Sequence, residues 1–212
     1  MDPNNPTCPA APNWSSNARM ELTPADRNGA RVLLAEGAVD EGVAGRLRAA
    51  LDADPNISEI WVRSPGGNAR AGNEAGRLIR QSYPGMVTRV PAGWACFSAC
   101  NFVFMGGQLR VVEPGGLFMV HMFTHTGNRE AIRSEVAAGT DSTVAMIGAI
   151  EQSSAQLASE DNDFLIRMGV SRRLLTEVMY AQQAVATDEN LSTRRCLNQD
   201  EVYLYNVANV RE

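Results

Sequence analysis

The sequence predicts an α/β fold, on three observations. Between residues 31 and 90, strand-like and helix-like periodicities take turns. The connections between them are only a few residues long, which suits parallel strands joined by crossing helices. Turn chemistry closes the early segments, "DPN" at 54–56 and "SPGG" at 64–67.

Residues 1–28 are rich in Pro, Asn and Ser and read as an extended N-terminal arm, leaving 29–212 as one domain. "RVLLAEGAV" (31–39) is a strand. "DEGVAGRLRAALDAD" (40–54) has apolar residues at 43, 44, 47, 50 and 51, which is helical spacing, with Asp40 as its expected N-cap. "SEIWVR" (58–63) is a second strand, residues 70–82 a second helix, and "GMVTRV" (85–90) a third strand. The apolar run at 98–106 suits a buried helix stopped by Gly106 and Gly107. "LRVVE" and "GLFMVHMF" are strands around the turn at 114–116. From about 127 to 180 the pattern is helical, a long C-terminal helical region, and the tail mixes turns with a short helix and a last strand.

At 212 residues the chain is long enough for one well-filled core. A net charge of −5 argues against nucleic acid or an anionic membrane as partner. No apolar run approaches the roughly 18 residues of a membrane span. All nineteen basic side chains are arginine, so no mechanism within the chain uses a lysine base or Schiff base. The histidines are two, His121 and His125. Four cysteines, Cys8, Cys96, Cys100 and Cys196, allow three fully paired connectivities, among which sequence does not choose. The opening residues lack the basic and apolar regions of a signal peptide, so the chain reads as cytoplasmic or as one whose leader has been removed.

The chemistry concentrates in "PAGWACFSACNFVFMGG" (91–107) and "MVHMFTH" (119–125). Ser98 stands where a buried helix is expected to begin. Its hydroxyl can cap the first turn, or it can act as a nucleophile in the positive field of the helix end. "SPGG" is a tight turn, or a bare backbone that offers an N–H to a substrate carbonyl. His121 is a core histidine or a base, and His125 reads as a loop residue. Cys96-x3-Cys100 with His121-x3-His125 also has the outline of a zinc site, although the intervening segment is too long for a usual finger.

In order and spacing, these pieces resemble the Clp protease proteolytic subunit and the wider Clp/crotonase superfamily. "RVLLAEGAVDEGVAGRLRAALDADPNISEIWVRSPGG" is similar to that family's opening strand, helix and strand with its oxyanion turn. "GGQLRVVEPGGLFMVHM" resembles the segment leading to its catalytic histidine, and "CLNQDEVYLYNVAN" its closing segment. The match spans residues 31–209, and Ser98 and His121 stand 23 positions apart, close to the family interval.

The resemblance implies a spiral of β-β-α units and a serine peptidase with no cofactor or metal. Ser98 matches the nucleophile, His121 the general base, and Gly67 and Ala99 the oxyanion donors, with Gly66 beside them. The family's triad aspartate falls on Asn190, with Asp188 two residues away. Cys96 and Phe97 replace the small residues usual before the nucleophile. A peptide or protein substrate and a homo-oligomer joined through 127–168 are implied as partners. "C-x-S-A-C" with a cysteine-bearing arm is most similar to exported Clp-like proteins of Gram-negative bacteria, which implies a periplasmic address and paired cysteines. The rival readings are a crotonase-like acyl-CoA enzyme, a non-catalytic scaffold that kept the fold, and a zinc-stabilised module.

Overall fold

The structure is a computed structural model that describes residues 7–122, 128–181 and 194–211. Five strands form the main sheet: β1 (Glu21–Arg27), β2 (Ala30–Glu36), β3 (Glu59–Arg63), β4 (Val87–Val90) and β6 (Leu109–Val112), in the order β1-β2-β3-β4-β6. From β2 to β6 all neighbours are parallel, the pairing expected from their short helical crossovers. A second sheet holds β5 (Ala95–Phe97), β7 (Leu117–His121) and β8 (Arg194–Cys196). β5 and β7 are parallel and β8 antiparallel to β7.

The two sheets are joined by a repeated step. β2, β3, β4 and β6 each continue into a short extended piece, and that piece pairs with its counterpart in a neighbouring unit. Val39 bridges Gly67, and Ser64 bridges Cys96. Helices α1 (Val43–Ala53), α2 (Ala69–Ser82) and α3 (Cys100–Met105) follow the first three steps. This is a spiral of β-β-α units. α4 (Arg129–Ala138) and the long α5 (Thr140–Met168) come after the fourth, followed by a π-helical stretch (Leu174–Met179) and α6 (Gln199–Leu204).

α2 approaches α3 closely because it presents glycine to it. A Cβ on Gly72 would lie 2.5 Å from the Ala99 carbonyl oxygen, and one on Gly76 would lie 2.3 Å from that of Phe102. The core fills the space between sheet and helices, with Leu33, Ile60, Ile79, Phe104 and Phe118 fully buried. Two arginines complete it. Arg110, 1% exposed, donates to the carbonyls of Gly107, Val207 and Asn206. Arg80 donates to those of Met105, Gly106 and Gly107, and both arginines reach Met168 at the end of α5. They satisfy orphan carbonyls at the C-termini of α3 and α5. Burial, with the charge of Arg80 nearby, pushes the Arg110 pKa down to about 10.

Three local expectations are corrected. Residues 21–27 belong to the main sheet as the edge strand β1, paired antiparallel with β2, not to an extended arm. The helix expected at 98–106 is shorter, because residues 95–97 form β5 and Ser98 is the turn between strand and helix. Asp40 does not cap α1; Gly42 does. The Asp40 carboxylate accepts instead from the N–H groups of Met20 and Gly42 and pairs with Arg46 at 2.5 Å. That bond with Arg46 and the two N–H groups hold its pKa down at about 2, against the cost of burial.

Candidate active site

β5 delivers Ser98 and β7 delivers His121. Their parallel pairing, with Phe97 opposite Met119, brings the end of each strand to the same side. His121 Nε2 lies 2.7 Å from Ser98 Oγ. Ser98 holds φ at +56°, a left-handed conformation that a non-glycine residue adopts only when its surroundings enforce it. This turn lifts the hydroxyl out of the first turn of α3, where no side chain caps the helix. The capping role open to Ser98 in sequence is therefore not the one it takes.

The surroundings that enforce the turn are identifiable. Cys96 and Cys100 form a disulfide that straddles Ser98. Asn101, 7% exposed, donates from Nδ2 to the Met119 carbonyl at 2.7 Å, and its own N–H is bound by the Ser98 carbonyl at 2.8 Å. Gly66 presses on the same turn, since a Cβ there would lie 2.6 Å from Ser98 Cβ and 3.1 Å from the Ala99 nitrogen. Gly67, at φ +145°, would drive a Cβ to 2.3 Å from the Val39 carbonyl. Only glycine fits either position. Among the described residues, neither the Gly67 nor the Ala99 N–H has a hydrogen-bond partner. Two donors are thus unspent beside the hydroxyl.

His121 is half-buried with its ring against Phe97, centroids 4.8 Å apart. Phe97 is stacked in turn on Trp14, at 5.8 Å and 15°. Trp14 belongs to the N-terminal arm, which is tied down by the Cys8–Cys196 disulfide and by the Ala95 N–H donating to the Asn13 carbonyl. Burial pushes the imidazole pKa below its usual value. A hydrogen bond with the Met122 backbone pulls it back up, and the Arg194 charge adds to the downward push. The ring is a neutral acceptor near pH 7.

A cleft of about 670 Å³ opens over this pair. Trp14, Pro65 and Gly67 line it, as do the apolar Phe102, Met105, Leu165, Leu174 and Met179. Asn190, Asp188 and His125 lie outside the described residues. Among the described residues no carboxylate touches His121. The cysteine half of the zinc outline is consumed in the disulfide, and no group of three or more His, Cys, Asp or Glu side chains is clustered to hold a metal among the described residues. Sequence reading missed Trp14, Asn101, Asp161 and Arg194, all of which line the cleft. Asn101 alone left a local signal, a polar residue three positions after Ser98 in an apolar run.

The architecture is shared with known proteases. A serine-to-alanine variant of the 1510-N membrane-bound stomatin-specific protease is 14% identical with a TM-score of 0.51, covering 82% of this chain and 74% of that one. A lysine-to-alanine variant of the same protease, in complex with a substrate peptide, is 16% identical with a TM-score of 0.50, covering 82% and 70%. ClpP1 from Listeria monocytogenes is 13% identical with a TM-score of 0.50, covering 83% and 87%. No protein-family model matches the chain, and no curated protein matches it. The chain has a ClpP-like fold. Unlike the stomatin-specific protease, it contains no lysine.

Proposed function

We propose that the protein is a serine peptidase in which Ser98 is the nucleophile and His121 the general base. The observation that carries the reading is the 2.7 Å contact between His121 Nε2 and Ser98 Oγ, made by a serine held at φ +56°. Ser98 Oγ attacks the scissile carbonyl carbon while His121 Nε2 takes its proton. The carbonyl oxygen becomes an oxyanion received by the Gly67 and Ala99 N–H groups. His121 returns the proton to the leaving amine, and water then releases the acyl group by the same route. The reaction uses no cofactor and no metal. Asn190 is the position that the resemblance assigns to the third triad member, while the described bond that orients the ring is the one to the Met122 backbone.

A peptide or protein substrate is supported by the cleft's size and by the substrate peptide held by a protease of this fold. Self-association is supported by Val136, Val144 and Ile147, apolar side chains left exposed on α4 and α5. A periplasmic address is supported by two disulfides, which persist in oxidising compartments. Among the described residues no helix is long and apolar enough to cross a membrane.

The test is covalent labelling by a fluorophosphonate probe, with the modified residue mapped by mass spectrometry. Labelling at Ser98 that is lost in His121→Ala supports the peptidase. A non-catalytic scaffold is the second reading, favoured by the lack of a carboxylate on His121 among the described residues. An unlabelled protein that binds peptides without cleaving them would establish it.

A further inference from the structure

One charged group in the cleft has no part in the reaction above. Leu157, Asp161 and Leu165 are spaced four residues apart on α5, so they share one face of the helix, and all three line the cleft. Asp161 therefore interrupts an apolar stripe at its middle. The cavity lining also includes the apolar Phe102 and Met105 from α3 and Leu175 and Met179 from the π-helical stretch. Among the described residues the Asp161 carboxyl makes no hydrogen bond and no ion pair.

We propose that Asp161 is the specificity-determining residue of the cleft, selecting peptide substrates that place an arginine or lysine side chain in it. The proposal rests on the Ser98–His121 reading for its chemistry, but the recognition is separable from it. An acid in apolar surroundings without a partner is costly to keep charged. Burial, aided by the neighbouring negative charge of Glu160, raises the Asp161 pKa to about 7. A ligand cation offsets that cost and restores the charge. Arginine and lysine carry a long aliphatic stem with the cation at its tip, which fits an apolar cavity holding one acid. The other ionisable groups facing this space do not compete for the carboxyl. The Arg194 charge bears on His121, and the one charge that bears on Asp161 among the described residues is that of Glu160.

The experiment uses fluorogenic peptides that differ only in the residue before the scissile bond: arginine, lysine, leucine, and citrulline as the uncharged isostere of arginine. The expected result is a kcat/KM for arginine about ten- to a hundredfold above that for citrulline, the worth of a charge-assisted hydrogen bond in a dry site. In Asp161→Asn the ratio falls to near one. The same arginine and citrulline peptides, bound to Ser98→Ala and followed by fluorescence anisotropy, read recognition without chemistry. Equal treatment of arginine and citrulline in both assays overturns the proposal. Failure of the fluorophosphonate to label Ser98, with arginine still preferred in binding, would instead overturn the peptidase reading and leave Asp161 as the selector.

Discussion

Cys96 and Cys100 stand two residues either side of Ser98 and are bonded to each other, their Cα atoms 5.4 Å apart. The bond closes a loop whose middle residue has positive φ, a conformation that costs a non-glycine residue about 1–2 kcal/mol. Without the bond, the turn is free to relax toward ordinary helical dihedrals. Cys96→Ser with Cys100→Ser is expected to slow fluorophosphonate labelling about tenfold, which corresponds to about 1.4 kcal/mol. Labelling rates before and after mild reduction of the wild type check the same point.

The second disulfide is expected to matter more for stability than for rate. Cys8 and Cys196 are separated by 188 positions, Cys96 and Cys100 by 4. On the chain-entropy account the longer loop is worth about 5 kcal/mol and the shorter about 2. Denaturant unfolding of the two double-serine variants is expected to show Cys8→Ser with Cys196→Ser as the less stable.

Activity is expected to hold to lower pH than an ordinary histidine allows. Burial lowers the His121 pKa below 6.5, so the base stays neutral as the solution is acidified through that value. The acid limb of kcat/KM therefore falls below pH 6.5. The unfolded chain takes up that proton more readily than the folded one, so stability also declines with acid in the same window. A limb above pH 6.5 would contradict this account of the imidazole's surroundings.

Trp14 stacks on Phe97, which packs in turn against His121. Trp14→Ala is expected to remove about 1 kcal/mol of ring stacking and to slow labelling severalfold by loosening the imidazole. Trp14→Phe, which keeps a ring against Phe97, is expected to recover most of the rate.

Arg110→Met tests the buried cation that gathers carbonyls near the ends of α3 and α5. The substitution keeps much of the volume but strands several acceptors, and is expected to cost about 3 kcal/mol. A lowered urea midpoint with unchanged slope would register it.

What was legible in the sequence follows from range. β2, β3, α1 and α2 announce themselves because their periodicity is local. β1 was missed because "ELTPADR" contains Pro24 and charges, the marks of an edge strand, which only its partner β2 defines as a strand. β5 is three residues long, too short for any period to register. Ser98, Gly67, Ala99 and His121 were singled out through the order of motifs, and the structure brings Ser98 and His121 into contact. Asp161 was not singled out, because a carboxyl on a long helix has meaning only once the opposite wall is known, and that wall is built from residues 102–105 and 174–179.

The tie between Cys8 and Cys196 also sets a timetable. A growing chain displays its arm 188 positions before the cysteine that anchors it. The tie that holds Trp14 behind Phe97 is thus completed once the segment around Cys196 has emerged and been oxidised. Any copy cut short before residue 196 keeps the serine and the imidazole but lacks the buttress, so the cleft stays unfinished until that cysteine has been made.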